Sequence, residues 1–536
     1  MLFISIPSGN DEKPFSSPAI IDTHLSSASS QYTPASSRTS EISSTLTLIS
    51  WRSSYLSLLG DLISYDNDEP HKPHRSTAHL DGLRGLAALA VYIFHILSCW
   101  FSLIPAYGSS SSSTNVLQLP FIRSFFIAGG AAVSIFFVLS GYVLTYRSLS
   151  SIRSGKASLV YSTVASSAFR RGFRLYLPVI MMTFVEMIAT RFGFSPPLNF
   201  SFRPEATLGA QIWDWILETN HLINPVYNAQ RAIEGAVTHP KYEAVVWTIP
   251  LEFWGSMMCY TLLLMLTMLR GGERIRMPLL AGYSGVCMWL GSWNMCCFSA
   301  GILIADYNLG QESSSALPSP VVLPVYKSSA TLPSAREHRD SRTRLLWIAM
   351  LGIGFYLAGF PSLLSTTINP DPFHTPMPGF STLRFLTPTP LFTHIPNADP
   401  ARFWWSISGT SILLSVSQLP NIKRLFESRA CQYLGKISFS LYLVHQFCLV
   451  LFGLALQKAM LGLAGVERGQ AAGIEGDEGK MLYWLLCGVW LVVFTTSVFA
   501  IAAQVEKWVD APSVRFTKWL EERCLKWYHS IGLPWQ

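Results

Sequence analysis

Charge is what this sequence has least of. Only 13% of its 536 residues are Asp, Glu, Lys or Arg, roughly half the ~25% of a soluble domain, which excludes an ordinary soluble enzyme. Cysteines number nine, and no two stand at the spacing of a metal site. Seven of them (Cys99, Cys259, Cys287, Cys296, Cys297, Cys448 and Cys487) fall in apolar stretches, where a thiol packs as a small hydrophobe. Neither a disulfide module nor a metal centre is expected. The apolar run from Met1 to Ile6 is too short for the core of a signal peptide. There is no G-x-S-x-G elbow, no Walker loop, and no His followed four residues later by Asp within an apolar span. Apolar residues, by contrast, make up half the chain, with 17 Trp, 20 Tyr and 32 Phe, and mean hydropathy is +0.32. These values exclude a disordered scaffold and indicate a polytopic membrane protein. The net charge of +7 reads as the Lys/Arg excess of cytosolic loops, so no nucleic-acid partner is expected.

Residues 1–76 are Ser-rich, with Pro and acids interspersed, and read as a mostly disordered cytosolic extension. Within them, Leu46 to Ile63 has the pattern of an amphipathic helix on the membrane surface, or else of a fluctuating tail. Beyond Leu80, windows long enough for a ~30 Å hydrocarbon core fall at about 84–104, 121–145, 175–191, 244–269, 277–306, 345–364, 403–418, 434–457 and 481–503. Basic loops at 146–174, after 269, after 306 and after 418 must share one side. That parity requires two crossings within 277–306, divided at Gly291-Ser292-Trp293-Asn294. The expected fold is therefore all-α, a polytopic bundle of about ten transmembrane helices over 77–510. A basic cytosolic tail, 511–536, follows, and both termini lie in the cytosol. The long loop 192–243 is then external and carries the sequon Asn199-Phe200-Ser201, a candidate glycosylation site. An endomembrane such as the endoplasmic reticulum is the default location.

A titratable side chain inside the bilayer costs about 2.5–3.5 kcal/mol even on a lenient scale, and so marks a candidate site. His95, His445, Glu186 and Glu252 are the ones inside spans. Arg84 sits at the cytosolic mouth of the first helix. His95 is eleven residues on, roughly 16 Å deeper and within about 20° of the same face; Asp81 falls near that face too. Each of these residues also has a purely structural reading, as a packed or hydrogen-bonded core residue or a positive-inside anchor.

Five motifs occur in a fixed order: LDGLRGLAALAVYIFHI (Leu80–Ile96), SIFFVLSGYVLTYR (Ser134–Arg147), FRRGFRLYLP (Phe169–Pro178), VWTIPLEFW (Val246–Trp254) and LGKISFSLYLVHQ (Leu434–Gln446). Together, over about Leu80 to Val505, the chain resembles the acyltransferase type 3 family of integral-membrane acyltransferases. The resemblance implies about ten helices around an internal cavity. It also implies that Arg84 and His95 are needed for activity, that Arg170, Arg171 and Arg174 form the basic cluster of the third helix, and that Glu252 is the acid of the fourth-helix motif. Ser440, Tyr442 and His445 match the ninth-helix motif and are, with Glu186, possible auxiliaries. The Ser-rich N-terminus departs from the family pattern, and no hydrolase domain follows the last helix. The chain is thus more similar to fungal members that acylate small lipophilic hydroxyl compounds, such as terpenoid or polyketide secondary metabolites.

Acyl transfer from a thioester to a hydroxyl needs a base, stabilisation of the developing charge, and both substrates held together. Neutral His95 is the expected base, with Glu252 orienting its ring, as in triads, and Glu186 in reserve. Arg84, Arg170, Arg171 and Arg174 would grip the phosphates of an acyl-CoA, most simply acetyl-CoA, as co-substrate, with no bound cofactor. Direct transfer and an acyl-histidine intermediate both stay open. A proton-coupled transporter is the alternative, since such carriers also use midplane acids and histidines.

Overall fold

The computed structural model describes residues 77–530 except 102–105, 109–114, 195–201, 270–271, 316–334, 364–377, 396–397 and 466–476. The extension 1–76, its amphipathic segment and the sequon at Asn199 lie outside the described residues. Every regular element among the described residues is helical. The principal helices are α1 (Ala78–Leu97), α2 (Gly129–Arg153), α3 (Ser158–Thr190), α4 (Leu208–Ile223), α5 (Pro225–Glu234), α6 (Thr248–Thr267), α7 (Glu273–Trp289) and α8 (Trp293–Ser315). They are followed by α9 (Ala335–Ala358), α10 (Arg402–Gln418), α11 (Arg429–Cys448), α12 (Asp477–Val505) and α13 (Ala511–Ser530). A helix thus occupies each of the ten expected positions. Among the described residues six segments are long and apolar enough to cross a membrane: those built on α1, α2, α3, α6, α11 and the α12–α13 rod.

The break between α7 and α8 falls at Gly291, whose φ of 75° is left-handed, a conformation that suits a residue without Cβ. Two features differ from the expected plan. The loop 192–243, expected to be external, holds two helices, α4 and α5. The basic tail is also helical: α13 continues α12 through a π turn at Glu506–Asp510, and Glu521 on it pairs with Arg170 on α3 at 3.2 Å.

Helix contacts in a bilayer depend on small residues, because lipid provides no hydrophobic drive between helices. A Cβ on Gly85 would lie 2.4 Å from the Gly435 nitrogen, and one on Gly435 would lie 2.4 Å from the Asp81 carbonyl oxygen. The glycines of the LDGLRG and LGKIS motifs therefore let α1 and α11 touch backbone to backbone. In the same way Gly141 of α2 and Gly301 of α8 face Phe298 and Val138, each within about 2.0 Å of where a Cβ would stand. One buried cluster joins α1, α3, α11 and α12 through Tyr92, Val179, Leu441, Trp490 and Phe494. A second joins α2, α6, α8 and α10 through Phe137, Leu263, Phe298 and Leu413.

Candidate active site

Close contact between α1 and α11 sets the first piece of the site. Arg84 reaches across it, its Nε donating to Ser438 Oγ at 3.0 Å and its Nη2 to the Gly435 carbonyl at 2.7 Å. Asp81, one turn back, lies 3.3 Å from the same guanidinium. Arg174 of α3, exposed, is within electrostatic reach of Arg84, Arg171 and Asp510. These groups form one basic mouth. Arg170 stands apart, turned to Glu521 and the Ser166 carbonyl.

Further along the same helix pair, His95 is half-buried and its ring centroid lies 5.1 Å from that of His445, tilted by 43°. His445 is fully buried, and its Nδ1 donates to the carbonyls of Tyr442 at 2.8 Å and Leu441 at 3.1 Å. That bond fixes the tautomer, so Nε2 carries the lone pair; it has no hydrogen-bond partner among the described residues. Tyr442 Oη bonds to the Val245 carbonyl and to Thr248 Oγ1. A phenol has one proton, so Tyr442 donates to the carbonyl and Thr248 donates to Tyr442. Ser440 is buried, with no partner for its hydroxyl among the described residues.

The carboxylate expected beside His95 is engaged elsewhere. Glu252 accepts from Arg171 Nη2 and from Ser140 Oγ, the latter at 2.7 Å. Arg171 Nε also donates to Ser256 Oγ at 2.8 Å. The reason is electrostatic: a guanidinium one helix away offers a carboxylate a charged partner, which a neutral imidazole cannot match. The reserve acid, Glu186, is not at His95 either. It is fully buried and accepts from the backbone N–H of Glu243 at 2.8 Å, placing two buried carboxyl groups side by side.

Three participants escaped sequence reasoning. Glu243 and His239 stood in a stretch taken for external loop, yet Glu243 is fully buried, and His239, whose Nδ1 bonds the Ala244 carbonyl at 3.1 Å, lies within electrostatic reach of His95. His239 also lines a cavity of about 150 Å³ between the α4–α5 connector and α6, together with Glu218, Asn228, Arg231, Trp247 and Pro250. Arg402, at the start of α10, is the third. No signal in the sequence set it apart from the other basic residues of the loops expected to be external, Arg203, Arg231, Lys241 and Arg384. Among the described residues no group of three or more His, Cys, Asp or Glu is arranged to hold a metal ion.

A helical membrane bundle with a basic mouth and an imidazole pair at the contact of α1 and α11 defines a class of integral-membrane protein, and sequence comparison narrows the class. The acyltransferase domain family (Acyl_transf_3) matches residues 78–503, so the chain belongs to the acyltransferase type 3 family and is an acyltransferase. It is 26% identical over 489 residues to the O-acetyltransferase PaAT-1 of Phomopsis amygdali, covering 88% of this chain and 90% of that protein. It is 26% identical to acyltransferase R4 of Phoma sp. (82% of this chain, 95% of the relative) and 24% identical to acyltransferase clz18 of Cochliobolus lunatus (82% and 97%). No solved structure matches. Family membership sets the transporter alternative aside.

Proposed function

We propose that this protein moves an acetyl group from acetyl-CoA to the hydroxyl of a small lipophilic acceptor within an endomembrane, ten helices crossing the bilayer and both ends in the cytosol. The observation that carries the proposal is the His95–His445 pair, set on the same α1–α11 contact that pins Arg84 at the basic mouth. Phosphates of CoA engage Arg84, Arg171 and Arg174, for which a guanidinium fork is the best-matched donor. The thioester arm follows the face of α1 inward to His95. The acceptor hydroxyl oxygen attacks the thioester carbonyl carbon as its proton passes to His95. Collapse of the tetrahedral intermediate breaks the C–S bond, and the proton returns to the departing thiolate. Nε2 of His445, its tautomer fixed by the backbone, accepts from the His95 imidazolium and takes the orienting place that was expected of Glu252. That an O-acetyltransferase is among the chain's relatives supports the acetyl group and the oxygen acceptor.

The test is to incubate membranes holding the full chain with labelled acetyl-CoA and a panel of lipophilic alcohols. His95→Ala lowers ester formation by about 10²–10⁴-fold, the scale of general-base loss, while the protein still accumulates in the membrane. Undiminished ester from that variant would refute the role of His95. Substrate flux without release of CoA would refute acyl transfer.

A further inference from the structure

The chain enters α6 through a single 3₁₀ turn, Ala244–Trp247, capped by Glu243, whose Oε1 accepts from the Val245 N–H at 3.3 Å. Side chains from elsewhere hold the head of that turn. Glu186 of α3 accepts from the Glu243 N–H at 2.8 Å, and His239 Nδ1 donates to the Ala244 carbonyl at 3.1 Å. From α11, Tyr442 Oη donates to the Val245 carbonyl and accepts from Thr248 Oγ1 at 2.7 Å. Glu186 and Glu243 are fully buried with their carboxyl groups in contact, and the other groups that bond them are the two N–H groups just named. Two carboxylates in contact, with no cation on them among the described residues, cannot both keep their charge in a buried site, so one proton is held between them. That proton makes the pair a neutral clasp between α3 and the turn, and such a clasp depends on reach rather than on charge.

The clasp reaches the imidazole pair through Tyr442. That residue lies one turn before His445 on α11, its ring centroid 6.3 Å from that of His445, and its carbonyl accepts from His445 Nδ1. His445 in turn faces His95. The bond from Tyr442 to the Val245 carbonyl thus ties the part of α11 that carries the ring to the turn before α6. The donor mouth is remote, for Glu186 stands twelve residues beyond Arg174 on α3, roughly 18 Å along the helix. We propose that Glu186 and Glu243 are positioning residues of the acyl transfer: they fix the turn before α6, so that its Val245 carbonyl holds Tyr442 and, through it, sets His445 against His95. This rests on reading the protein as an O-acyltransferase whose acid–base groups are those two histidines.

The test uses the full chain in its membranes, labelled acetyl-CoA and the alcohol of the panel that the wild type esterifies fastest, with kcat taken per folded protein. Glu243→Gln keeps the reach of the clasp, its amide donating to Glu186, whereas Glu243→Asp keeps the acid and loses the reach. A reacting group misplaced by about 1 Å costs up to about 10²-fold. Glu243→Asp should therefore lower kcat by about tenfold or more and leave the KM for acetyl-CoA within about twofold, while Glu243→Gln keeps at least about fivefold more kcat than Glu243→Asp. In a Tyr442→Phe background, itself slow, the further loss from Glu243→Asp should shrink below about twofold, because both act through one contact. Glu243→Asp at the wild-type rate, Glu243→Gln as slow as Glu243→Asp, an undiminished loss in the Tyr442→Phe background, or a loss that falls on KM instead overturns the proposal. Where Glu243→Asp does not fold, Tyr442→Phe decides: it removes a hydroxyl and leaves the acid pair intact, and turnover at the wild-type rate overturns the proposal. No ester from the wild type with any alcohol sinks the transfer reading and the positioning with it; equal ester formation by the wild type and Glu243→Asp sinks the positioning alone.

Discussion

Glu252 separates two accounts of the site by experiment. An acid that orients His95 acts on the chemical step, so Glu252→Gln would lower kcat and leave the KM for acetyl-CoA alone. An acid that holds Arg171 acts on the donor grip and on the fold. The pair is mostly shielded, its side chains 11% and 15% exposed. At about 3 Å and an effective dielectric of about 20, the gross attraction is roughly 5 kcal/mol. Removing one partner of a buried pair costs about 3–5 kcal/mol, largely because the survivor keeps an uncompensated charge. Here each survivor retains a hydroxyl, Ser256 for Arg171 and Ser140 for Glu252, and some solvent, which lowers the expected loss to about 2–4 kcal/mol. Glu252→Gln and Arg171→Met should each depress the thermal unfolding temperature in nanodiscs and raise the KM for acetyl-CoA. The double variant should recover part of the stability loss, with a coupling energy of at least about 1.5 kcal/mol. Coupling below about 0.5 kcal/mol, or a kcat loss confined to Glu252→Gln with Arg171→Met silent, would refute the ion pair and restore the acid to His95.

His445→Asn removes the Nε2 lone pair that faces the unpartnered side of the ring. Steady-state assays should show kcat lower by about 10²-fold with both KM values within about twofold, whereas activity within twofold of wild type would make His445 a packing residue. Burial holds the His239 imidazole below its ordinary pKa; the bond to the Ala244 carbonyl opposes that shift and the nearby Arg402 charge adds to it. Well above the ordinary pKa of about 6.5 the ring is neutral in both the folded and unfolded states, so it does not bias stability. As pH falls below that value the unfolded chain takes the proton first, and folded-state stability declines until the depressed folded pKa is reached. Thermal unfolding of His239→Gln between pH 6.5 and 5 should therefore be less acid-sensitive than that of the wild type; an unchanged slope would refute the assignment.

What the sequence made legible follows from cost. Ionisable groups are so expensive in the bilayer that the inventory of candidate residues could be read directly, and parity of basic loops located the α7–α8 break at Gly291. Pairing was a different matter, because it depends on which helices touch. Glu252 looked free to orient His95 only while Arg171 was counted for phosphate alone; the same guanidinium, at the inner edge of the basic mouth, also holds Glu252 across α3 and α6. Glu243 and His239 were hidden because the residues before a span were treated as solvated loop, whereas α4 and α5 cover them. Arg402 was hidden because the sequence sets it apart in no way from Arg203, Arg231, Lys241 and Arg384 of the loops expected to be external; only its burial does so.

One pairing was in the sequence all along and needed only the glycines to be read as contact points. If Gly85 and Gly435 bring α1 and α11 together, two parallel helices in that register rise 1.5 Å per residue side by side. Arg84 then faces Gly435, as its 2.7 Å bond shows. From Arg84 to His95 is eleven residues; from Gly435 to His445 is ten. The two rings must therefore arrive at nearly the same depth, as their 5.1 Å separation reflects. Near-equal spacing from an arginine and from a glycine contact to two histidines on separate motifs is thus a geometric signature of an imidazole pair, and the acid–base chemistry proposed for the protein accordingly falls on α1 and α11 rather than on α1 and α6.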